Sequence, residues 1–463
     1  IALERQRTGG EPLLSDREDG AGNSRTVVAS GTPVREEQAA GGGAGGFESR
    51  AGSASGARSN GAAGGTGGAP AGGVTLTKPE EAVAMQVDGP PEGEKLEDGT
   101  KFLELSMGPQ HPSTHGVLRL AVRLDGEQVV SLSVDIGYLH RSFEKFAETW
   151  QFPQLAPFVD RNDYLAGVLN EHAYCLAAER LLGIEVPERA EYIRVIMAEL
   201  NRIGSHLLWF GTFALDLGAT TPFLWAFEQR ERIYDINELV TGGRIFPQFF
   251  RIGGVRNDFP PGFEDMVRRT VEGLKRSLDE YHKLLTGNPI FRARTEGIGI
   301  VSPEDAIAYG CSGPCLRGSG IRYDVRKADP YSIYDRFDFD IPVGEKGDVF
   351  DRYIVRMREI EESIRIVEQA MRECPAKGAI LAKLPRKLKP PRGASVYAHV
   401  ESPRGDLGCL LVSDGTDQPY RLKWRAPSFS NLQILERIGP GHMVADLVAV
   451  VGSIDIVLGE VDR

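Results

Sequence analysis

Five long stretches of this chain repeat apolar side chains every three or four residues, and this spacing constrains the fold more than any other feature. They cover residues 164–183, 188–214, 222–241, 261–286 and 347–373. Side chains at this interval lie on one face of an α-helix, and such a face is normally buried against other elements. We therefore predict a central bundle of long helices.

Sheet-forming sequence flanks this bundle. Short apolar runs over 101–136 are divided by the turn Asp125-Gly126, and three further strand-like runs follow Pro390. The predicted fold class is α+β, mainly α. Its parts are, in order, a β region over 99–160, the helix bundle over 161–390 and a C-terminal β region over 391–463.

Residues 1–98 differ from the rest in composition. They hold 21 of the 55 glycines and few aromatic residues. Such a segment buries too little apolar surface to offset the entropy lost on ordering, so we predict a disordered extension. Its glycine run 41–46 fits the spacing G-x-G-x-x-G, but no strand precedes it and no helix follows. It therefore predicts no nicotinamide or flavin site.

Charge and cysteine content exclude several classes of function. The net charge is −11, whereas a nucleic-acid-binding protein needs a basic surface, so no nucleic acid partner is expected. The five cysteines form no Cys-x-x-Cys pair and fit a reducing compartment. No apolar run reaches the length of about 18 residues that spans a bilayer, so we expect membrane association only through partner subunits.

Four side chains are candidates for chemistry, and each also has an ordinary structural explanation. His115 lies in the loop 108–116, where a histidine is more often a structural hydrogen-bonding residue. Tyr164 opens a predicted helix, where a tyrosine is more often a half-buried core residue. Asp216 ends another helix, where a carboxylate caps or pairs with a cation, and Arg141 fits a salt-bridge network.

The histidines and cysteines predict no metal site. His111 and His115 are four residues apart, a spacing that suits a metal only on a helix, and Pro112 forbids a helix there. Cys311 and Cys315 lack the second pair that a four-ligand sulfur site needs, so we interpret them as loop or core cysteines.

Longer strings in the chain point to one family. They are 108–116 (GPQHPSTHG), 137–141 (GYLHR), 160–164 (DRNDY), 170–174 (NEHAY), 182–190 (LGIEVPERA), 312–314 (SGP), 401–405 (ESPRG) and 452–463 (GSIDIVLGEVDR). From about residue 101 to residue 463 the chain closely resembles the 49-kDa (D-type) subunit of NADH:quinone oxidoreductase, respiratory complex I. That family is related to the large subunit of nickel–iron hydrogenases.

The resemblance implies a hydrogenase-like fold that has lost its nickel–iron site. The hydrogenase site needs an early and a late Cys-x-x-Cys pair, whereas this chain has His140-Arg141 in the early region and no cysteine after Cys409. In the family a quinone headgroup takes the place of the metal. The implied substrate is menaquinone or ubiquinone, and no metal or flavin is expected on this chain.

Position by position, the resemblance implies roles for the four candidates. His115 and Tyr164 match the two ligands that hold and protonate the quinone headgroup. Asp216 matches an aspartate that pairs with the histidine, and a carboxylate there would favour the protonated imidazole. Arg141 matches an arginine beside the terminal iron–sulfur cluster, which a neighbouring subunit holds.

The implied partners are the other peripheral-arm subunits, especially the terminal-cluster (B-type) and C-type subunits, together with the membrane arm. The implied location is the cytoplasmic face of a bacterial plasma membrane, or the matrix side of the inner mitochondrial membrane. Three alternatives stay open. They are a true hydrogenase, against which the missing cysteine pairs argue, a related membrane oxidoreductase with another electron donor, and a non-catalytic scaffold.

Phe246 departs from the family pattern, because many relatives have a histidine here that points at the cluster. Losing a hydrogen bond or a proton at that place lowers the reduction potential of the cluster, so a lower-potential quinone such as menaquinone is the expected acceptor. A redox titration of the assembled complex should give a low midpoint that depends little on pH. A high and strongly pH-dependent midpoint would contradict this prediction.

Overall fold

The computed structural model describes residues 102–463, so the predicted disordered extension lies outside the described residues. The α-helices are α1 (Phe143–Ala147), α2 (Phe152–Val159), α3 (Gly167–Leu182), α4 (Glu188–Asp216), α5 (Thr220–Thr241), α6 (Phe263–Tyr281), α7 (Pro289–Ala293), α8 (Pro303–Ala308), α9 (Gly313–Gly318), α10 (Val325–Ala328), α11 (Val349–Glu373), α12 (Pro427–Gln433), α13 (Leu435–Ile438), α14 (Val444–Ile454) and α15 (Leu458–Asp462). The strands are β1 (Leu103–Met107), β2 (Arg119–Asp125), β3 (Gln128–Asp135), β4 (Phe250–Arg251), β5 (Gly254–Val255), β6 (Ser395–Ser402), β7 (Gly405–Ser413) and β8 (Pro419–Arg425).

The five predicted long helices are present as α3, α4, α5, α6 and α11. Helix α4 is the central one, since most of its 29 residues are buried and it contacts α3, α5, α11 and α14. Two of the helices end where glycine adopts the left-handed conformation, α3 at Gly183 and α5 at Gly242. Glycine adopts that conformation without the strain of a Cβ atom, which is why it closes helices so often.

Two three-stranded antiparallel sheets flank the helices. The first has the order β1-β2-β3 and the second the order β6-β7-β8, and α3 packs on β6 and β7. The strands of the second sheet end at Arg425, and the apolar run that follows them forms the helices α12 to α15. The fold class is therefore α+β, mainly α, as predicted, although the C-terminal region is less β-rich than its sequence suggested.

A network of buried charges lies among α4, α9, α10 and α11. Arg317 is fully buried and donates to Glu359 at 2.5 Å and to Glu401 at 2.8 Å. Arg326 donates to Asp324 at 2.7 Å and to Glu199 at 3.2 Å. These contacts offset much of the free energy that is lost when charges leave water.

The same network contains the one group of carboxylates in the described chain whose spacing would suit a metal ion, Asp324, Glu359 and Glu401. The guanidinium groups of Arg317 and Arg326 already contact these carboxylates, so the arrangement fits an ionic network better than a cation site. Within 102–463 no helix is long and apolar enough to cross a membrane.

The buried and exposed ion pairs should differ in energy. Replacing Arg317 with Met leaves two buried carboxylates without their cation, so we expect a loss of about 3–5 kcal/mol in the free energy of unfolding. Replacing Arg336 with Met breaks a pair with Glu188 whose side chains are 44% and 59% exposed, and this should cost at most about 1 kcal/mol. Denaturant unfolding of the purified chain measures both, and equal losses would contradict the prediction.

Candidate functional site

The loop 108–116 is fixed at its centre by a buried threonine. The hydroxyl of Thr114 donates to the carbonyl oxygens of Pro109 (3.2 Å) and His111 (2.9 Å), and its own carbonyl accepts from the N–H of Leu118 (3.1 Å). The next residue, His115, has a φ of 56°, in the left-handed region where histidine is among the better tolerated residues. The loop thus holds its backbone rigidly and presents the side chain of His115 at an exposed position.

The two histidines of this loop have different surroundings. The Nδ1 atom of His111 accepts a hydrogen bond from the N–H of Ser113 at 3.3 Å. The imidazole of His115 has no hydrogen-bond partner among residues 102–463. Although this side chain is exposed, the surrounding protein atoms lower its pKa by displacing water, and the charge of Arg404 lowers it further. His115 is therefore a neutral imidazole at pH 7 with both ring nitrogens available.

The pKa of His115 is lowered, whereas an adjacent carboxylate would raise it, so the pairing of His115 with Asp216 stays a prediction. Asp216 lies at the end of α4, and its burial raises its pKa to about 6. The histidine whose charge acts on Asp216 is His111 rather than His115. The sequence does not show which of the two histidines acts on Asp216. Both lie in the same loop, and Asp216 is about 100 residues away.

Tyr164 lies in a turn before α3 rather than in the helix itself. One oxygen of Asp163, Oδ1, accepts from the N–H groups of Leu165 (3.1 Å) and Ala166 (3.2 Å), so the helix begins only at Gly167. The Tyr164 side chain is half-buried, and in the described chain its hydroxyl has no hydrogen-bond partner. Burial raises its pKa, as does the negative charge of Asp163, whereas Arg404 opposes this rise. The phenol is therefore a neutral donor at pH 7.

Arg404 connects the two candidate ligands. It lies between β6 and β7, is fully buried, and its charge acts on the pKa of both His115 and Tyr164. Two side chains that lie about 50 residues apart in sequence are thus influenced by the charge of one buried cation.

Arg141 contacts the residues that directly precede Asp163 and Tyr164. Its Nη2 atom donates to the carbonyl oxygen of Arg161 (3.1 Å) and to Oδ1 of Asn162 (3.0 Å). No carboxylate of residues 102–463 forms an ion pair with it, and its buried Nε atom has no partner. Burial lowers its pKa, followed by the charge of Arg161. The ring of Phe246 packs on this same Arg161, 4.9 Å from the guanidinium carbon.

The C-terminal residues hold the backbone next to Arg141. The carboxylate of Asp462 accepts from the N–H groups of Gly137 (2.9 Å) and Leu139 (2.7 Å), and the N–H of Arg141 donates to the carbonyl of Arg463 (3.1 Å). A cavity of about 370 Å³ opens beside this junction, with charged side chains such as Glu144 and Lys423 in its wall. His115, Tyr164 and Asp216 do not line it.

Sequence reasoning missed Arg404, Asp163 and Asp462 as site residues. All three stand inside the strings that carried the family resemblance, 401–405, 160–164 and 452–463, so the signal was present. Apolar periodicity does not detect them, because they are charged residues whose burial depends on partners that are distant in sequence.

Comparison with known proteins shows the family to which the chain belongs. The family model for the 49-kDa subunit of respiratory-chain NADH dehydrogenase matches residues 216–395 and 382–463. The second D-type subunit of NADH-quinone oxidoreductase from Symbiobacterium thermophilum is 54% identical over 382 residues, which are 79% of this chain and 99% of that protein. The chain belongs to this 49-kDa subunit family.

Other members are nearly as similar. The D-type subunit of NADH-quinone oxidoreductase from Geobacillus thermodenitrificans is 52% identical over 363 residues, and its counterpart from Bacillus cereus is 51% identical over the same length. Each alignment covers 78% of this chain and 99% of the relative. Family members are subunits of a multisubunit oxidoreductase, so this chain is one component of such an enzyme.

The raised pKa of Asp216 predicts a pH dependence of stability. Its carboxyl titrates near 3.8 when unfolded and at about 6 when folded, so between these values the folded protein binds more protons than the unfolded chain. The contribution of Asp216 to stability is therefore present at low pH and is lost as pH rises toward about 6. The Tm of the wild type minus that of Asp216→Asn should fall over this window and then level off. Parallel Tm curves would refute the assignment.

Proposed function

We propose that this chain is the quinone-binding subunit of a proton-translocating NADH:quinone oxidoreductase, and that His115 and Tyr164 hold the quinone headgroup. One observation carries the proposal. The imidazole and the phenol lack protein partners within the described chain, and the charge of Arg404 acts on the pKa of both. Polar groups that are free beside a shared cation are suited to a polar ligand, and the curated relatives are named for quinone reduction.

The chemistry of a quinone matches these two groups. Each carbonyl oxygen of the headgroup accepts hydrogen bonds, and these strengthen as the ring gains electrons and the oxygens become negative. A neutral phenol donates one bond and a neutral imidazole donates another from its single ring N–H. Reduction to quinol consumes two electrons and two protons. Tyr164 passes its phenol proton to one oxygen and is then reprotonated from solvent, whereas His115 passes a proton to the other oxygen only after its second ring nitrogen has taken one up. Asp216 then acts on this loop through His111.

Electrons would arrive from the terminal iron–sulfur cluster of the B-type partner subunit. Arg141 suits a place beside it, because its guanidinium has no carboxylate partner in residues 102–463 and would stabilise added negative charge. The C-type subunit and the membrane arm complete the proposed surroundings, on the cytoplasmic face of a bacterial membrane. Phe246 packs on Arg161 and its ring offers neither a titratable proton nor a hydrogen-bond donor, so we expect a low-potential acceptor such as menaquinone.

Two substitutions in the assembled complex test the proposal. His115→Asn keeps a residue that tolerates the left-handed backbone, and Tyr164→Phe removes only a hydroxyl. Loss of a group that transfers a proton should lower NADH–quinone turnover by about 10²–10⁴-fold. NADH–ferricyanide activity should stay unchanged, since ferricyanide takes electrons upstream of the quinone.

Tyr420→Phe is the matched control, because Tyr420 is 67% exposed and should tolerate loss of its hydroxyl. Quinone turnover at the wild-type rate in both test variants would favour the scaffold alternative. Stoichiometric nickel in the purified complex would favour a hydrogenase. Identification of the co-purifying input subunits separates NADH from another electron donor.

A further inference from the structure

A buried cation from far along the chain holds the turn that carries Tyr164. Arg404 donates from Nη1 to Oδ2 of Asp163 at 2.8 Å and to the hydroxyl of Ser205 at 3.0 Å. The other oxygen of Asp163 accepts from the backbone of Leu165 and Ala166. One carboxylate thus joins the guanidinium to the backbone that directly follows Tyr164.

The hairpin tip that presents Arg404 has little freedom to move. Gly405 has a φ of 132°, and a Cβ atom there would lie 2.4 Å from Oγ of Ser312. A Cβ atom on Gly313 would lie 2.5 Å from Cα of Gly405, so hairpin and α9 touch backbone to backbone. Nδ2 of Asn431 also donates to the carbonyl of Arg404 at 3.0 Å. A cation held in this way fixes the position of its partner Asp163.

Other charged groups surround the Arg404–Asp163 pair. Oδ1 of Asp455, which follows α14, lies 3.4 Å from Nη2 of Arg404, and Arg356 of α11 lies 3.8 Å from the second oxygen of Asp455. Burial raises the pKa of Asp455 to about 6. Burial, followed by the charge of Asp163, raises the pKa of Glu460 in α15 to about 7.

Both carboxyls thus take up a proton at higher pH than an exposed carboxyl does. The positive charge of Arg404 also acts on His115 and Tyr164. It lowers the pKa of the imidazole and opposes the rise in the pKa of the phenol.

We propose that Arg404 is a positioning residue of the quinone site, acting through its ion pair with Asp163 to set the placement of Tyr164. This inference rests on the proposed function of His115 and Tyr164 and adds a third group that sets how well they work. Arg404 itself is buried and acts through Asp163 and through its electric field.

Steady-state kinetics of the assembled complex in membrane vesicles test this role. In Arg404→Gln, NADH–quinone turnover should fall by about 10–100-fold, as is usual when the partner of a site residue is removed, and the loss should appear chiefly in kcat. Without the cation, His115 takes up a proton at higher pH. The acid limb of the pH profile should therefore move to higher pH, which loss of packing alone would not cause.

Arg404→Lys keeps the positive charge but loses the forked geometry that reaches Asp163 and Ser205 together. It should leave the acid limb at its wild-type position and lower kcat less than Arg404→Gln does. Arg194→Gln is the matched control, because Arg194 is also fully buried, pairs with Glu179 at 2.5 Å and has no contact with the site. This control should leave the acid limb unmoved.

A wild-type pH profile and kcat in Arg404→Gln would overturn the proposal, as would the same shift in Arg194→Gln.

If Arg404→Gln does not assemble, Asp163→Asn decides, since it retains an oxygen for the N–H groups of Leu165 and Ala166 while losing the charge that pairs with Arg404. A loss of at least about tenfold in quinone turnover with intact ferricyanide activity supports the proposal. A wild-type rate refutes it. Tyr164→Phe separates the role of Arg404 from the proposed function, because full activity in that variant would refute the proposed function itself.

Discussion

A guanidinium that has no contact with water needs its charge matched by the protein, and Arg404 imposes this requirement at the centre of the molecule. Asp163 and Asp455 supply the negative charge, Ser205 supplies an acceptor, and each comes from a different element. The turn before α3, helix α4 and the end of α14 therefore meet at one hairpin tip. The free energy of unpairing such a cation, several kcal/mol, keeps these elements in register.

Buried charge extends from this point through the helix bundle. The guanidinium carbon of Arg356, which also lies near Asp455, is 4.3 Å from the ring centre of Trp209 in α4. Nε2 of His206, also in α4, lies 3.1 Å from Glu359. Burial lowers the pKa of His206 to about 4, so this imidazole is neutral at pH 7. An ionic interior of this kind adds less to stability than apolar packing would, but it admits few alternative arrangements of the helices.

Local sequence predicted the long helices and the strands well, because each has a clear period and is bounded by glycine or proline. The start of α3 shows a limit of prediction from local sequence. The pattern placed Tyr164 in a helix, whereas the side chain of Asp163 holds it in the preceding turn. The sequence does not show which of His111 and His115 acts on Asp216, since that depends on tertiary contacts. Arg404 was missed for the same reason, although its string had been noticed.

The distance along the chain between the groups that meet here determines when the site can exist during biosynthesis. Asp163 and Arg404 are 241 residues apart, and His140 and Asp462 are 322 residues apart. Closing loops of this length comes late, because the entropy lost must be offset by contacts made elsewhere first. A nascent chain that has released α3 and α4 from the ribosome therefore holds an unpaired Asp163 beside a loose Tyr164. Only after the second sheet and the terminal helices emerge does the turn take its final shape, so the site that we assign to quinone forms last.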